Sequence, residues 1–527
     1  MAQMPEYEIL VIGAGPAGIG TAAMLIRAGL TDFGIVERAG DLGGSWRDNT
    51  YPGVGVDIPS VAYQYSFARK ADWTHLFARG AEVKAYHDEV AARYNLRERI
   101  LFQTDIVREI WNEEGHYWEL YAADGRVLSA RFVLSAVGAF LRPKIGADLE
   151  GVDDFTGKIQ IPASWDHGYE LAGRRVAVIG TGASSVQIVP SIAPEVTQLD
   201  VYQRTPAWCL PKADHRLPPW FRTALRIPGV SAALHGAGLA AIDLLMALLT
   251  TTSTGRAKSL LARADADAIA RYRRYVHRVV DDPRIAEQLI PAYGPIGKRP
   301  TASNTFLQAF NRRNVALHTD RIDRVTATGI RTADGAERDY DMIVLATGYE
   351  MFSDPESYHD GAVVGRDGFD LAQFFGKEGL QAYESVAIPR LPNRWLIAGP
   401  YSWTGSGWHT LVEVSATHAI RAISAGLERG ATVVEVRRSV HDAYHEQVRR
   451  RGTLISHYFT VQNKGLRTYY VNSQGDMAYL RPSTLVEARW RSRHFPIDHY
   501  RFETASSSGP SGLKSKSEYE VGDGLPQ

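Results

Sequence analysis

The sequence predicts an α/β fold with two dinucleotide-binding, Rossmann-like domains and a helical subdomain. Three observations carry that expectation. Two glycine-rich turns, GAGPAG and GTGASS, each lie between a short apolar strand and a helix that begins on small residues. An acid follows the first turn at the same spacing at which an arginine follows the second. A third apolar strand, in DYDMIVLATGYE, ends on a small-residue turn, as a strand does where the chain passes a ligand or returns to another domain.

The first turn is built in EILVIGAGPAGIGTAAMLIRAG. The apolar run from Ile9 to Ile12 reads as a parallel strand buried on both faces. Gly13, Gly15 and Gly18 complete GxGxxG. The first glycine permits the tight turn, the second lets a pyrophosphate approach the backbone, and the third lets the helix pack on the strand. The helix N-terminus then presents unpaired N–H groups to the phosphates. The next strand, FGIVER, ends at Glu37, whose carboxylate accepts hydrogen bonds from a ribose.

The second turn repeats the design. RRVAVIG is the strand, Gly180, Gly182 and Ser185 form GxGxxS, and the helix is expected from about Ser184. The following strand, LDVYQR, ends at Arg204. Glu37 stands 24 residues after Gly13 and Arg204 stands 24 after Gly180, so the two occupy equivalent places. A carboxylate there repels a ribose 2′-phosphate, and an arginine attracts one. The simplest pairing is FAD on the first turn and NADPH on the second. The strand from Met342 to Leu345 runs into Ala346, Thr347 and Gly348, and SAVGAF, Ser135 to Phe140, is a similar exit. The two exits mark the expected crossings between the nucleotide domains.

Composition bounds the remainder. A chain of 527 residues with 45% hydrophobic residues is globular and long enough for two or three domains. Lys+Arg and Asp+Glu are both 59 and no long basic run occurs, so no nucleic-acid partner is expected. The single cysteine, Cys209, excludes an intrachain disulfide, a CxxC redox pair, a multi-cysteine metal site and disulfide-reductase chemistry. It reads as a partly buried small hydrophobe. The opening MAQMPEYEILVIGAG reads as entry into a domain without an export signal, which makes a cytoplasmic protein the expectation. HGAGLAAIDLLMALLTT, near 235–251, is short for a membrane span and carries Asp243. It reads as a buried or partner-facing helix, with a peripheral membrane contact as the other reading. No integral membrane segment and no metal site is expected. The polar tail at 504–527 reads as disordered.

Between the two turns lies FTGKIQIPASW, Phe155 to Trp165, which reads as neither a good strand nor a good helix because Pro162 interrupts it. With this stretch the chain resembles the class B flavoprotein monooxygenases of the Baeyer–Villiger type, from about Tyr7 to about Tyr500. Their fingerprint is Phe-x-Gly-x-x-x-His-x-x-x-Trp before the second glycine turn. Phe155, Gly157 and Trp165 match it, and Ile161 stands where the histidine belongs. LGGSWRDNTYPGVGVDIPSVAYQYSF resembles the family's flavin loop, QRTP its NADP segment, and GKRP followed by FNRRNV the segment of its catalytic arginine.

The resemblance implies roles. Reduced FAD would react with oxygen to give a C4a-peroxyflavin, whose anion needs a positive group and a closed site. Arg299 would be that group and Asp57 its partner carboxylate. Gly44 would belong to the flavin loop and Trp46 would pack along the flavin. Arg204, Thr205 and Lys298 would surround the 2′-phosphate. The resemblance divides the chain into an FAD-binding domain at 1–145 and 346–503 and an inserted NADP-binding domain at 150–345. A helical subdomain at 212–295, seen as apolar periodicity in DADAIARYRRYVHRVV, would cover the site.

The implied activity is an NADPH-consuming flavin monooxygenase that inserts one oxygen atom into a ketone, with molecular oxygen and a small organic molecule as partners. Ile161 leaves N- or S-oxygenation, or an uncoupled NADPH oxidase, as alternatives, since isoleucine packs where histidine would hydrogen-bond across a hinge. A non-catalytic nucleotide-binding protein is the remaining class. His409 and His167 read as structural or exposed. Substrate identity and oligomeric state have no readable motif.

Overall fold

The computed structural model of the protein describes residues 4–146, 149–251, 255–403 and 407–504. The tail expected to be disordered lies, beyond Thr504, outside the described residues.

The first sheet is centred on Tyr7–Ile12, flanked in parallel by Phe33–Val36 and Val127–Ser135. Ile9, Leu10 and Val11 are buried, as a strand covered on both faces requires. Ile106–Asn112, Tyr117–Ala122 and Val127–Ser135 form an antiparallel meander on one side. The far half of Val127–Ser135 accepts a strand from late in the chain, Arg394–Leu396, in parallel. That return is fixed by a buried fork: Arg394 Nε and Nη2 each donate to a Glu109 carboxylate oxygen at 2.8 Å. Removing either partner would strand a buried charge, at a cost of about 3–5 kcal/mol. Helix Pro16–Arg27 covers the sheet and packs on helix Trp408–Glu428.

The second sheet is wholly parallel, in the order Val315–His318, Gln198–Tyr202, Arg175–Ile179, Met342–Leu345, Lys158–Gln160. Its edge strand corrects the reading of FTGKIQIPASW as neither strand nor helix. Lys158–Gln160 pairs with Met342–Val344, and Pro162 begins a 3₁₀ turn, Pro162–Ser164, immediately after it. Three residues with a proline close behind carry no strand signal; an open sheet edge recruits them.

The spacing of Phe155 and Trp165 now has a physical account. Phe155 packs with Ala177, Ile179, Ile343 and Leu345, and Trp165 with Val176, Val178, Met342 and Val344. Successive strand residues point to opposite faces, so the two aromatic rings clamp opposite faces of the sheet. A Cβ on Gly157 would lie 2.5 Å from the Phe155 ring and 2.8 Å from the Asp341 carbonyl oxygen.

Two connectors join the sheets and pair with each other, Phe140–Pro143 running antiparallel to Tyr349–Met351. Four helices, Pro219–Leu225, Val230–Thr251, Gly255–Val279 and Pro283–Gln288, leave the second unit. A short parallel ribbon of Cys209–Leu210 with Thr301–Ala302 closes their base.

Candidate functional site

The first glycine turn has the geometry its sequence requires. Gly13 has φ +102°, and a Cβ there would sit 2.8 Å from the Ala136 carbonyl oxygen. A Cβ on Gly18 would lie 1.8 Å from the Gly13 carbonyl oxygen, so the helix cannot approach the strand with any other residue. Gly15 is the N-cap of Pro16–Arg27 and no side chain caps that end, which leaves its N–H groups for an anion. Glu37 is buried, accepts the Ala14 N–H at 2.8 Å and pairs with Arg47 at 3.1 Å. Gly44 folds back onto the turn, where a Cβ would meet Gly15 Cα at 2.9 Å. Beside it, the Trp46 indole donates to the Tyr63 hydroxyl at 3.1 Å.

The second turn repeats the form with different partners. Gly180 has φ +110°, and its Cβ would lie 2.6 Å from the Ala346 carbonyl oxygen, which brings the Leu345–Ala346 strand exit against the turn. Gly182 caps the uncapped end of Ala183–Ile192, and a Cβ there would touch nothing within 4 Å. Ser185 is fully buried and its Oγ has no hydrogen-bond partner among the described residues. The Thr181 hydroxyl donates to the Thr205 carbonyl at 3.0 Å, which places Thr205 and the neighbouring Arg204 beside the turn. Arg204 is exposed and makes no ion pair among the described residues. Lys298 lies 5.8 Å from the Tyr293 ring centroid and within reach of the Arg204 charge. Burial, reinforced by the Arg204 charge, pulls the Lys298 ammonium down to about 8. Two cations held together without a carboxylate form an anion site. The uncapped helix end, the open backbone at Gly182 and this cation pair fit a phosphorylated dinucleotide; the first turn with Glu37 fits one whose ribose is free.

Arg299 Nη2 lies 3.1 Å from Asp57 Oδ2. The Asp57 side chain is 12% accessible and that of Arg299 is 40%, yet Tyr469, Tyr470 and Tyr479 face the guanidinium. Arg299 therefore lines a walled cleft rather than the outer surface. Burial opposes its charge, but the Asp57 carboxylate together with Tyr469, Tyr479 and Tyr470 outweighs that and drives its pKa further up. Burial pushes Tyr63 up to about 12, against the Trp46 hydrogen bond, so the phenol stays neutral. Tyr469, Tyr470 and Tyr479 are raised by burial too.

The loop that carries Asp57 sits on the second nucleotide unit. The Tyr51 hydroxyl donates to Gln187 Oε1 at 3.0 Å, and Gln187 Nε2 donates to the Gly55 carbonyl at 3.0 Å. The Pro162–Ser164 turn packs on Ser45–Asp48, which contains Trp46, and His167 Nε2 lies 2.9 Å from Thr50 Oγ1. His409 is buried with its Nε2 2.9 Å from His87 Nε2, and burial holds both imidazoles below their usual pKa. That pair is packing, with His409 wedged between the Tyr63 and Tyr65 rings and His87 stacked on His409. Cys209 is fully buried, and burial pushes its thiol up to about 12.

Sequence reasoning missed Gln187, Tyr63 and the tyrosine wall. The three wall tyrosines come from 469–479, in a segment without periodicity, and only the tyrosine density of LRTYYVNSQGDMAYL marks it.

The chain matches the pyridine nucleotide-disulphide oxidoreductase family over residues 10–229. It is 33% identical to a Baeyer–Villiger monooxygenase of Pseudomonas aeruginosa, over 98% of this chain and 95% of that protein. It is also 33% identical to one of Streptomyces coelicolor, over 95% of this chain and 93% of that protein. Among solved structures, OTEMO in complex with FAD and NADP superposes with a TM-score of 0.82 at 26% identity, covering 95% of this chain and 100% of the other. Oxidized steroid monooxygenase bound to NADP gives 0.79 at 26% identity, covering 94% and 99%.

Proposed function

The chain belongs to the Baeyer–Villiger monooxygenase family, and from that premise we propose that Arg299, held by Asp57, is the charge that governs its oxygen transfer. The protein is a flavin-dependent, NADPH-consuming monooxygenase with FAD and NADPH as cofactors. The proposed reaction inserts one atom of molecular oxygen between the carbonyl carbon and an adjacent carbon of a ketone. The product is an ester or lactone. NADPH supplies a hydride, solvent a proton, and the second oxygen atom leaves as water.

FAD, when bound, accepts the hydride and activates oxygen. Everything else falls to the chain. Gly13, Gly15 and Gly18 and the end of Pro16–Arg27 hold the first pyrophosphate, and Glu37 the ribose. Gly44 and Trp46 shape the flavin side. Gly180, Gly182 and Ser185 hold the second pyrophosphate, with Arg204, Thr205 and Lys298 around the 2′-phosphate. Arg299 meets negative charge as it develops on oxygen, and its charge persists at any working pH. Asp57 keeps the guanidinium from swinging away. The tyrosine wall limits the approach of water on its side of Arg299, and neutral phenols do so without adding negative charge beside the developing anion.

The observation that supports this reading is the Arg299–Asp57 pair. It joins the GKRP loop of the inserted unit to the flavin loop that Gln187 clamps onto Ala183–Ile192. The test is a balance of NADPH consumed, ester formed and hydrogen peroxide released, across ketones, amines and sulfides. Ester matching NADPH consumption with a ketone supports the reading. Peroxide equal to NADPH with every ketone, or oxygenated product from amines and sulfides alone, overturns it.

A further inference from the structure

Helix Val230–Thr251 is apolar on both faces and turns its polar residues inward. At positions whose side chains are described, Ser231, His235 and Asp243 are buried, at 7%, 4% and 8% exposure, beside Leu239 and Met246. Ala233, Leu234, Ala237, Ala240 and Leu244 face outward, Leu244 at 65% exposure. The polar groups have inward work. His235 Nδ1 lies 3.3 Å from the Val61 carbonyl oxygen, and Asp243 accepts the N–H groups of Leu485 and Val486, fixing helix Leu485–His494 to this one. A helix bathed in water shows the opposite pattern.

The exposed apolar surface continues onto both neighbours. Trp220, on Pro219–Leu225, is 71% exposed, and Val486 and Trp490, one turn apart on Leu485–His494, are 70% and 61% exposed. Both short helices pack on Val230–Thr251. Between Pro219 and Ala264 the cations are Arg222, Arg226, Arg256, Lys258 and Arg263, and the single acid is the buried Asp243. Arg226 and Arg256 flank the helix at its two ends and Arg493 follows Trp490 on the packed helix; all three are exposed and outside any ion pair among the described residues.

We propose that this face, the outer side of Val230–Thr251 with Trp220 and Trp490, seats on a lipid bilayer containing anionic headgroups. Aliphatic residues and tryptophans bordered by cations are what such an interface selects. A second copy of the chain fits worse, because a two-fold contact would set this face, with Arg226, Arg256 and Arg493 and no exposed acid between Pro219 and Ala264, against the same cations. Among the described residues no helix is long and apolar enough to cross a membrane, so the contact is peripheral. Met246, on the inner side of the same helix, packs with Tyr470 and Tyr479 of the wall facing Arg299. One helix thus borders both the lipid surface and the wall of the cleft.

The test is flotation of the FAD-loaded full chain with vesicles of phosphatidylcholine alone and of phosphatidylcholine with phosphatidylglycerol. Binding is expected to the anionic vesicles and to weaken with salt. Trp220→Ser with Trp490→Ser should lower the partition coefficient by about tenfold per tryptophan. Arg226→Gln with Arg256→Gln should lower it by about fivefold per charge. Flavin content and turnover of a water-soluble ketone should stay unchanged in both variants, which separates lost docking from lost folding. Equal partition onto both vesicle types, or none onto either, overturns the proposal. So does a stable dimer in lipid-free solution that the tryptophan substitutions dissociate.

Discussion

Arg299 and Asp57 stand 242 residues apart in sequence and 3.1 Å apart in space. Each sits on a loop of a different nucleotide unit, so the pair ties the two units together across the cleft. Arg299→Ala should leave reduction of FAD by NADPH within a few-fold of wild type and lower ester formation by about 10²–10³-fold, the scale of losing one stabiliser of a developing anion. Asp57→Ala should act in the same direction and less severely, because the cation remains but swings. Rapid-mixing measurement of the reductive half-reaction, beside product analysis, checks both. Equal loss of the two half-reactions would contradict the assigned role.

Arg204 is expected to select the cofactor. It is exposed, lies beside the second glycine turn, and competes with no carboxylate among the described residues. Arg204→Ala should raise the KM for NADPH by about 10–100-fold, the worth of a charge-assisted contact to phosphate, and leave the KM for NADH nearly unchanged. An unaltered NADPH/NADH preference would refute the 2′-phosphate contact.

Lys298 adds a pH signature to that selection. Its ammonium, pulled down to about 8 by burial and then by Arg204, is charged below that pH and increasingly neutral above it. The 2′-phosphate favours the charged form, so above pH 8 NADPH binding must carry a proton in with it. The KM for NADPH should then climb by up to about tenfold per pH unit, while that for NADH stays level. Lys298→Arg should flatten the NADPH profile, since a guanidinium stays charged. Parallel profiles for the two nucleotides would rule Lys298 out.

Much of this was legible because glycine and charge act locally. Gly13 and Gly180 need positive φ, and the strand at Met342–Leu345 fell where its apolar run lies. The edge strand Lys158–Gln160 was not legible, because a neighbouring sheet creates it. Nor was the tyrosine wall, which matters through where Arg299 happens to lie. The outward apolar face of Val230–Thr251 needed the structure as well: the sequence shows an apolar helix, and only burial shows that its polar residues point inward.

Two glycines at different positions of the turns should respond differently to a single methyl group. Gly18→Ala forces a Cβ to 1.8 Å from a backbone oxygen, so it should cost about 3 kcal/mol or more and lose FAD. Gly182→Ala meets nothing within 4 Å, and its φ of −78° suits alanine. It should melt within about 0.5 kcal/mol of wild type yet bind NADPH at least about tenfold more weakly, because the methyl group fills the cradle. Unimpaired NADPH binding by a well-folded Gly182→Ala would move the pyrophosphate elsewhere.

Ile161 poses the sharpest question about this chain's own chemistry. It is half-buried, caps the 3₁₀ turn Pro162–Ser164, and precedes the point where that turn packs on the Trp46 loop. Phe155 and Trp165 already clamp the two faces of the second sheet, so position 161 is free to set how the connector meets the flavin side. Isoleucine offers only packing there; a polar bridge farther along the same connector is His167 to Thr50, at an exposed edge. Tyr51 and Gly55 are already tied to Gln187, so a directional bond at position 161 would stiffen the connector beside the Trp46 loop, on the side of the contact those bonds do not reach. Ile161→His should therefore raise the ester formed per NADPH and lower the peroxide, with the KM for NADPH unchanged because the 2′-phosphate site is untouched. His167→Ala should move the same ratio the opposite way. If neither substitution alters the ratio, the connector is a passive clamp, and coupling is set by the walls of the cleft around Arg299.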